Sequence, residues 1–242
     1  MEIPALFYLC LIVAAAFIGI IFLFINVKRY NEDFFRAEKM LLFSLPISIA
    51  LGRIGYICLN FEEFRSNLSA VFAFWQGGIS PTVALISFFA FVFCYSEVHA
   101  LKAFLWFDIF MVPMIFVIAL HEIGLYTLFP IVAETFPSVE RLFVITPMGF
   151  TEREFLQTTA LTEGITTFIL AILLMKIKKF DAGLVFCLGL SCFCGIRFVA
   201  MFFYIVSVPI IFNVEHILFG LFFLVFMCLS VFMIKTGKGG RI

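Results

Sequence analysis

Arg53 and Arg197 stand in Leu51-Gly52-Arg53-Ile54-Gly55-Tyr56 and Cys194-Gly195-Ile196-Arg197-Phe198, each deep inside a run of apolar residues. A charged side chain at bilayer depth costs about 2.5–3.5 kcal/mol on insertion scales unless it faces a polar interior and finds a partner. The guanidinium is planar, permanently charged and matches a phosphate or a carboxylate bidentately. Two such groups in apolar runs point to a buried site for an anion, above all a phospholipid headgroup. The bland alternative is a set of buried ion pairs that fixes helix packing.

Carboxylates for that alternative exist. Asp108, Glu122 and Glu163 lie in apolar runs and are the candidate charge partners, with Glu163, in Leu161-Thr162-Glu163-Gly164, the clearest buried carboxylate. Asp108 has a second reading, as a headgroup-level residue with no task beyond solvation. His121 adjoins Glu122 and is the histidine expected at outer membrane depth, so His121 and Glu163 are the candidate acid–base groups. Glu97 and His99 fall near a helix end at the opposite interface. Gly77-Gly78-Ile79-Ser80-Pro81 precedes an apolar run. Glycines before a helix present backbone N–H groups to an anion, Ser80 suits the cap and Pro81 the first helical position. Gly77, Gly78 and Ser80 therefore join Arg53 and Arg197 as the candidate headgroup site.

The elements that must position these residues are transmembrane helices. The chain has 242 residues, 64% of them hydrophobic, and a mean hydropathy of +1.18. Only 13% are charged, against roughly 25% in a soluble domain. This excludes a soluble globular fold, and a net charge of zero argues against a nucleic-acid partner. The 37 phenylalanines suit lipid-facing helices. Cys10, Cys58, Cys94, Cys187, Cys192, Cys194 and Cys228 all sit in apolar segments without the spacing of a zinc site, so no metal is expected and all seven read as small buried apolar residues.

A helix needs about 20 apolar residues to cross the hydrocarbon core. Seven segments qualify, near 3–27, 40–60, 80–98, 104–129, 155–177, 183–206 and 217–235. The first lacks the basic flank and cleavage site of a signal peptide and is expected to be a membrane helix. Eleven Lys and Arg residues, among them Lys28, Arg29, Arg36, Lys39, Lys102 and Lys176, fall in alternate loops and the C-terminal tail; the other loops hold Arg65, Arg141 and Arg153. The positive-inside rule then puts the N-terminus outside and the C-terminus inside. The expected architecture is an all-α, seven-helix integral membrane bundle forming one domain over 1–242, with extracytoplasmic segments at about 61–79 and 130–154. Neither repeat symmetry nor broken helices of a transporter are evident.

These pieces, in this order, resemble the bacterial prolipoprotein diacylglyceryl transferase family over nearly the whole chain. Gly52-Arg53-Ile54-Gly55-Tyr56 followed by Trp75-Gln76-Gly77-Gly78-Ile79-Ser80 looks like that family's Gly-Arg-Ile-Gly-Tyr segment and its Trp-x-Gly-Gly-Met-Ser approach to the third helix. Asp108 and Pro113, Glu163-Gly164, and Gly195-Ile196-Arg197-Phe198 are similar to its segments in helices four, five and six. The resemblance implies seven membrane helices in a bacterial cytoplasmic (inner) membrane, multi-pass. It also implies transfer of a diacylglyceryl group from phosphatidylglycerol to the lipobox cysteine of a lipoprotein precursor, with no cofactor beyond the lipid.

The departures fall on that chemistry. Pro81 and Thr82-Val83-Ala84-Leu85 replace the aromatic-His-Gly-Gly-Leu that follows the family's serine. His121-Glu122-Ile123-Gly124-Leu125-Tyr126 aligns with Gly-Arg-x-Gly-Asn-Phe, so Glu122 reverses a charge and Leu125 replaces an asparagine. Leu128-Phe129-Pro130 meets Asn-Gly-Glu, Thr158-Thr159 ends the stretch that meets His-Pro-x-Gln-Leu-Tyr-Glu, and Met201 and Tyr204 meet the final Glu and Arg of helix six. Attack of a thiolate on a glycerol carbon needs a base and cationic groups for the phosphate. A hydroxyl at Thr82 is no base near neutral pH. The expectation is a non-catalytic relative that keeps an anionic-phospholipid site of the phosphatidylglycerol type and serves as a subunit or scaffold of a membrane assembly. Its partners would be membrane phospholipid and other transmembrane subunits or lipoprotein precursors. The alternative is an active transferase, of the family's reaction or with altered substrate.

Overall fold

A computed structural model describes residues 3–59, 61–65, 80–135, 152–177, 182–204 and 214–236. Among them every segment is helix or tight turn, with no strand. The helices are α1 (Ile3–Arg29), α2 (Phe34–Leu59), α3 (Phe61–Arg65), α4 (Pro81–Val98), α5 (Ala103–Thr135), α6 (Glu152–Lys176), α7 (Leu184–Tyr204) and α8 (Val214–Thr236). All but α3 coincide with the seven expected spans. Within α1, α2, α5, α6 and α8, the stretches Cys10–Arg29, Phe34–Cys58, Ala103–Gly124, Thr159–Lys176 and Ile217–Thr236 are long and apolar enough to cross a membrane. The apolar parts of α4 and α7, Thr82–Val98 and Leu184–Ala200, are shorter. The 18 residues of α4 rise about 27 Å, a few ångströms less than a hydrocarbon core of roughly 30 Å.

Three boundaries differ from the sequence reading. α2 begins at Phe34 rather than near 40, because the Asp33 carboxylate caps its first turn, its Oδ1 accepting from Phe35 N at 3.1 Å. Arg36 and Lys39, read as loop, therefore lie in its first two turns. Phe61–Arg65, expected in a segment between spans, is a short helix. The segment expected to be an outer loop over 130–154 is helical to Thr135 and again from Glu152. The remainder of both segments expected outside, 66–79 and 136–151, lies outside the described residues. The cysteines need a correction too: Cys187 and Cys194 are buried, but Cys10, Cys58, Cys94, Cys192 and Cys228 are exposed. On a membrane helix an apolar residue is at ease on the lipid-facing side as well as inside.

The chain forms two compact units, residues 27–107 and residues 1–26 with 108–242. In the larger unit α7 lies against both α6 and α8. Small and large residues interlock there: a Cβ at Gly195 would stand 3.0 Å from the Phe223 ring, and one at Gly220 would stand 2.9 Å from the Phe198 ring. α5 is buried at every position from Asp108 to Pro113, as a helix enclosed on all sides must be. Pro113 has no N–H, so the carbonyl of Ile109, four residues earlier, has no donor within the helix. Asn26 on α1 supplies it, its Nδ2 donating to Ile109 O at 3.1 Å in a buried setting. Phe22 on Phe116, with ring centroids 4.6 Å apart, and Gly19 beneath Val117 bring α1 and α5 close enough for this. Asn26→Leu is expected to lower stability by about 1–2 kcal/mol, the cost of an unsatisfied buried carbonyl less what the membrane state recovers. Equilibrium unfolding in mixed detergent micelles measures it, with Phe17→Leu, at an exposed position of the same helix, as the control.

In the smaller unit α2 lies against α4 and α3. Gly55 is where the longer two meet, since a Cβ there would come within 2.6 Å of the Val83 side chain.

Candidate functional site

The ion cluster of the larger unit is built on α5, α6 and α7. Gly164 sets its geometry: a Cβ at this position would stand 2.8 Å from Ile123 N and 3.1 Å from Ala119 O. α6 and α5 therefore touch backbone to backbone, and the residues beside the contact, Glu163 and Glu122, are delivered to the same place. Both carboxylates are buried, at 3% and 2% exposure. Arg197 of α7 reaches them with its whole guanidinium. Its Nε is 2.9 Å from Glu163 Oε1, one terminal nitrogen donates to Glu163 Oε2 at 3.3 Å, and the other donates to Glu122 Oε1. Phe193, one turn earlier on α7, lies 6.0 Å from the guanidinium.

The consequence for anion binding is direct. All three guanidinium nitrogens are engaged by carboxylates of the chain, and a phosphate approaching Arg197 meets two carboxylates for one cation. Arg197, expected in a headgroup site, is instead the cation of an internal clamp across three helices. His121 is half-buried beside Glu122, within the field of both Glu122 and Arg197.

Asp108, expected among the charge partners of the arginines, has another task. Its carboxylate, 1% exposed, accepts from Gly183 N and Phe186 N, both at 2.7 Å. These belong to the start of α7, whose first N–H groups have no partner within the helix and carry partial positive charge. Gly183 adopts φ 98°, the left-handed region that favours glycine. Asp108 is thus an N-terminal cap supplied from another helix, and it fixes the end of the element that carries Arg197. Its burial and these two bonds give it a task beyond solvation.

Arg53 belongs to the smaller unit. It is 3% exposed, and its guanidinium carbon lies 5.3 Å from the Phe64 ring and 5.9 Å from the Tyr56 ring. Those rings meet edge to face at 6.0 Å, so the cation sits against aromatic faces as cation–π attraction favours. Its flanking glycines serve the fold. Gly52 O accepts from Ser80 N at 3.0 Å, and Gly55 admits Val83. Ser80, expected to face an anion, has both polar groups engaged: the N–H goes to Gly52 and the hydroxyl caps α4, accepting from Val83 N at 3.5 Å. Pro81 takes the first helical position. Thr82 follows, half-buried, in the first turn of α4. Gly77 and Gly78 lie outside the described residues. Among the described residues no three His, Cys, Asp or Glu side chains come close enough to hold a metal ion.

Two roles escaped the sequence reading. Asn26 is signalled in part by Pro113, which marks Ile109 O as needing an outside donor without saying which helix brings it. Asp108 as a cap has no local signal, because the N–H groups it serves lie 75 and 78 residues away.

The family model described as prolipoprotein diacylglyceryl transferase matches residues 2–238. The phosphatidylglycerol–prolipoprotein diacylglyceryl transferase of Lysinibacillus sphaericus (strain C3-41) is 32% identical over 102 residues, 40% of this chain and 36% of that protein. The enzyme of the same name from Streptococcus suis (strain 05ZYH33) is 32% identical over 60 residues, 25% of this chain and 22% of that protein. The matched stretches thus span well under two thirds of either relative's length.

Proposed function

The chain belongs to the prolipoprotein diacylglyceryl transferase family, and from that premise we propose that it is a multi-pass membrane relative that no longer transfers. It keeps the family's fold as a subunit or scaffold of an assembly in the bacterial cytoplasmic membrane. The observation that carries this is the occupation of Arg197 by Glu122 and Glu163. Transfer from phosphatidylglycerol leaves a glycerol phosphate, whose negative charge needs fixed cationic donors. Here Glu122 stands where the resemblance implies an arginine, and it neutralises a second one. Thr82 stands where the resemblance implies a histidine, so the thiol has no base there. Removing one such donor typically lowers a rate by about 10²–10³, and the three changes together take it to background. What remains of a phosphatidylglycerol-type site is Arg53 with its aromatic walls. The lipid and lipoprotein precursors named for the relatives are the natural neighbours of such a scaffold.

A second reading has one observation in its favour. His121 lies beside the ion cluster, where it offers an imidazole to an enzyme with altered substrate. A single experiment separates the two. The chain is expressed in a bacterial strain depleted of its own diacylglyceryl transferase, and the purified protein is given phosphatidylglycerol with a lipobox peptide. No rescue is expected, and no lipidated peptide above a protein-free control. Rescue by the native chain, lost in His121→Ala, would overturn the proposal in favour of the second reading.

A further inference from the structure

At the end of α2 and α4 remote from Arg53, a cleft of about 270 Å³ opens among residues that the family resemblance leaves unused. α2 starts here and α4 ends here, joined to α1 and α5 by tight turns. Asn31 (φ 55°) and Ala100 (φ 52°) take left-handed backbone in those turns, and Leu101 N returns to Ser96 O at 2.8 Å. Arg36 and Lys39 form one wall of the cleft, Tyr95 and His99 the other. Lys39 Nζ stands 4.3 Å from the centre of the Phe35 ring. His99 stacks on Tyr95 at 4.1 Å with an interplanar angle of 16°, and its Nδ1 bonds Tyr95 O at 2.9 Å, which leaves Nε2 as its other polar atom. Asp33 also lines the cleft, but one oxygen of its carboxylate is engaged by the backbone N–H that starts α2. Among the described residues neither Arg36 nor Lys39 forms an ion pair.

A second cleft of about 270 Å³ adjoins on α2, apolar except for Glu38 and lined by Leu41, Leu42, Leu45 and Pro46. Leu42 and Pro46 follow Phe35 and Lys39 at steps of three and four residues, so they continue the same stripe of the helix toward mid-membrane. Leu42, Phe43 and Leu45 are exposed. A cationic cleft at the helix ends followed by an exposed apolar groove has the order of a phospholipid, phosphate first and acyl chain after.

We propose that Arg36 and Lys39 hold the phosphodiester of a membrane phospholipid whose acyl chain lies along Leu42, Leu45 and Pro46, in the leaflet opposite Arg53. The two arginines of α2 are 17 positions apart, about 26 Å along the helix, so this site is independent of the one at Arg53. Arg36 supplies a planar fork to two phosphate oxygens and Lys39 a point charge. The stacked Tyr95–His99 pair closes the far side.

The protein is reconstituted in lipid nanodiscs of phosphatidylcholine and phosphatidylglycerol, released into mild detergent, and its retained phospholipids are counted by native mass spectrometry. The exposed pair Arg36→Gln with Lys39→Gln is expected to lower the retained phospholipid by one per chain, and Arg53→Gln to leave that one in place. Leu42→Ser, which leaves the cations intact, is expected to lower retention at least threefold. Unchanged retention in both Arg36→Gln/Lys39→Gln and Leu42→Ser would overturn the proposal. So would displacement of the bound lipid by millimolar inorganic phosphate or glycerol phosphate, which would mark a site for a soluble anion. Should the double variant misfold, the single Arg36→Gln and Leu42→Ser changes, both on exposed positions of α2, decide the matter alone.

Discussion

Arg197→Met is expected to destabilise the protein by about 3–5 kcal/mol, because it leaves Glu122 and Glu163 buried without their cation. Equilibrium unfolding in mixed micelles reads the loss, with the melting temperature in detergent as a second measure. The expectation is specific in sign as well as size. Glu163→Gln alone is expected to cost less, since the guanidinium keeps Glu122 and the amide still accepts one bond. Replacing the three residues together, as E122M/E163M/R197M, removes every buried charge and fills a similar volume. Such exchanges are often neutral or stabilising, so the triple variant is expected to recover most of the loss. A triple variant less stable than Arg197→Met would show that the cluster does more than balance its own charges. A loss below about 1 kcal/mol in Arg197→Met would show that water reaches the carboxylates once the arginine is gone.

The second large effect is expected at Gly164. Its missing Cβ is the space in which α6 meets α5: beside the Ile123 side chain at 2.7 Å, a Cβ would meet backbone, Ile123 N at 2.8 Å and Ala119 O at 3.1 Å. Backbone cannot rotate aside, so Gly164→Ala must part the helices. Overpacking of this kind costs about 1–3 kcal/mol, and the gain in helix propensity, about 1 kcal/mol, offsets only part of it. Gly164→Val is expected to be worse. Parting α5 from α6 also separates Glu122 from Glu163, so the effects of Gly164→Ala and Arg197→Met are expected to be less than additive by about 1 kcal/mol. Strict additivity would mean that the glycine and the ion cluster are independent. Gly195→Ala is the control, because its Cβ would meet the edge of the Phe223 ring at 3.0 Å, and a ring can turn.

The spans were readable because a run of about 20 apolar residues has no other stable home, and α1, α5 and α8 coincide with their runs to within a few residues, save for the α5 end at Thr135. The cap on α2 was readable in principle from Asp33, yet Arg36 and Lys39 drew the boundary forward, since charge reads as loop. That Glu122 and Glu163 stand in apolar runs, where a carboxylate needs a cation, is plain from the sequence. That one guanidinium takes both is not, because it depends on how closely α5 and α6 approach, and this is set by the absence of a single methyl at Gly164. Asp108 lay further out of reach. A carboxylate in an apolar run is equally explained by an arginine, by the headgroup region or by a distant helix end, and only the backbone position of Gly183 and Phe186 chooses among them.

The bond from Asn26 to Ile109 spans 83 residues, and synthesis is ordered in time. At roughly 5–20 residues per second, α1 is made some 4–17 s before the carbonyl it serves exists. During that interval Asn26 has no α5 to meet. It lies beside Lys28 and Arg29, at the end of α1 where the headgroups are, and water there can hold its amide without charge being drawn into the hydrocarbon. When α5 enters, Pro113 brings a helix that cannot satisfy its own Ile109, and the waiting amide completes it. The carbonyl that Pro113 leaves open in α5 is thus met by a residue translated 83 positions earlier, before Glu163 and Arg197 of the ion cluster exist.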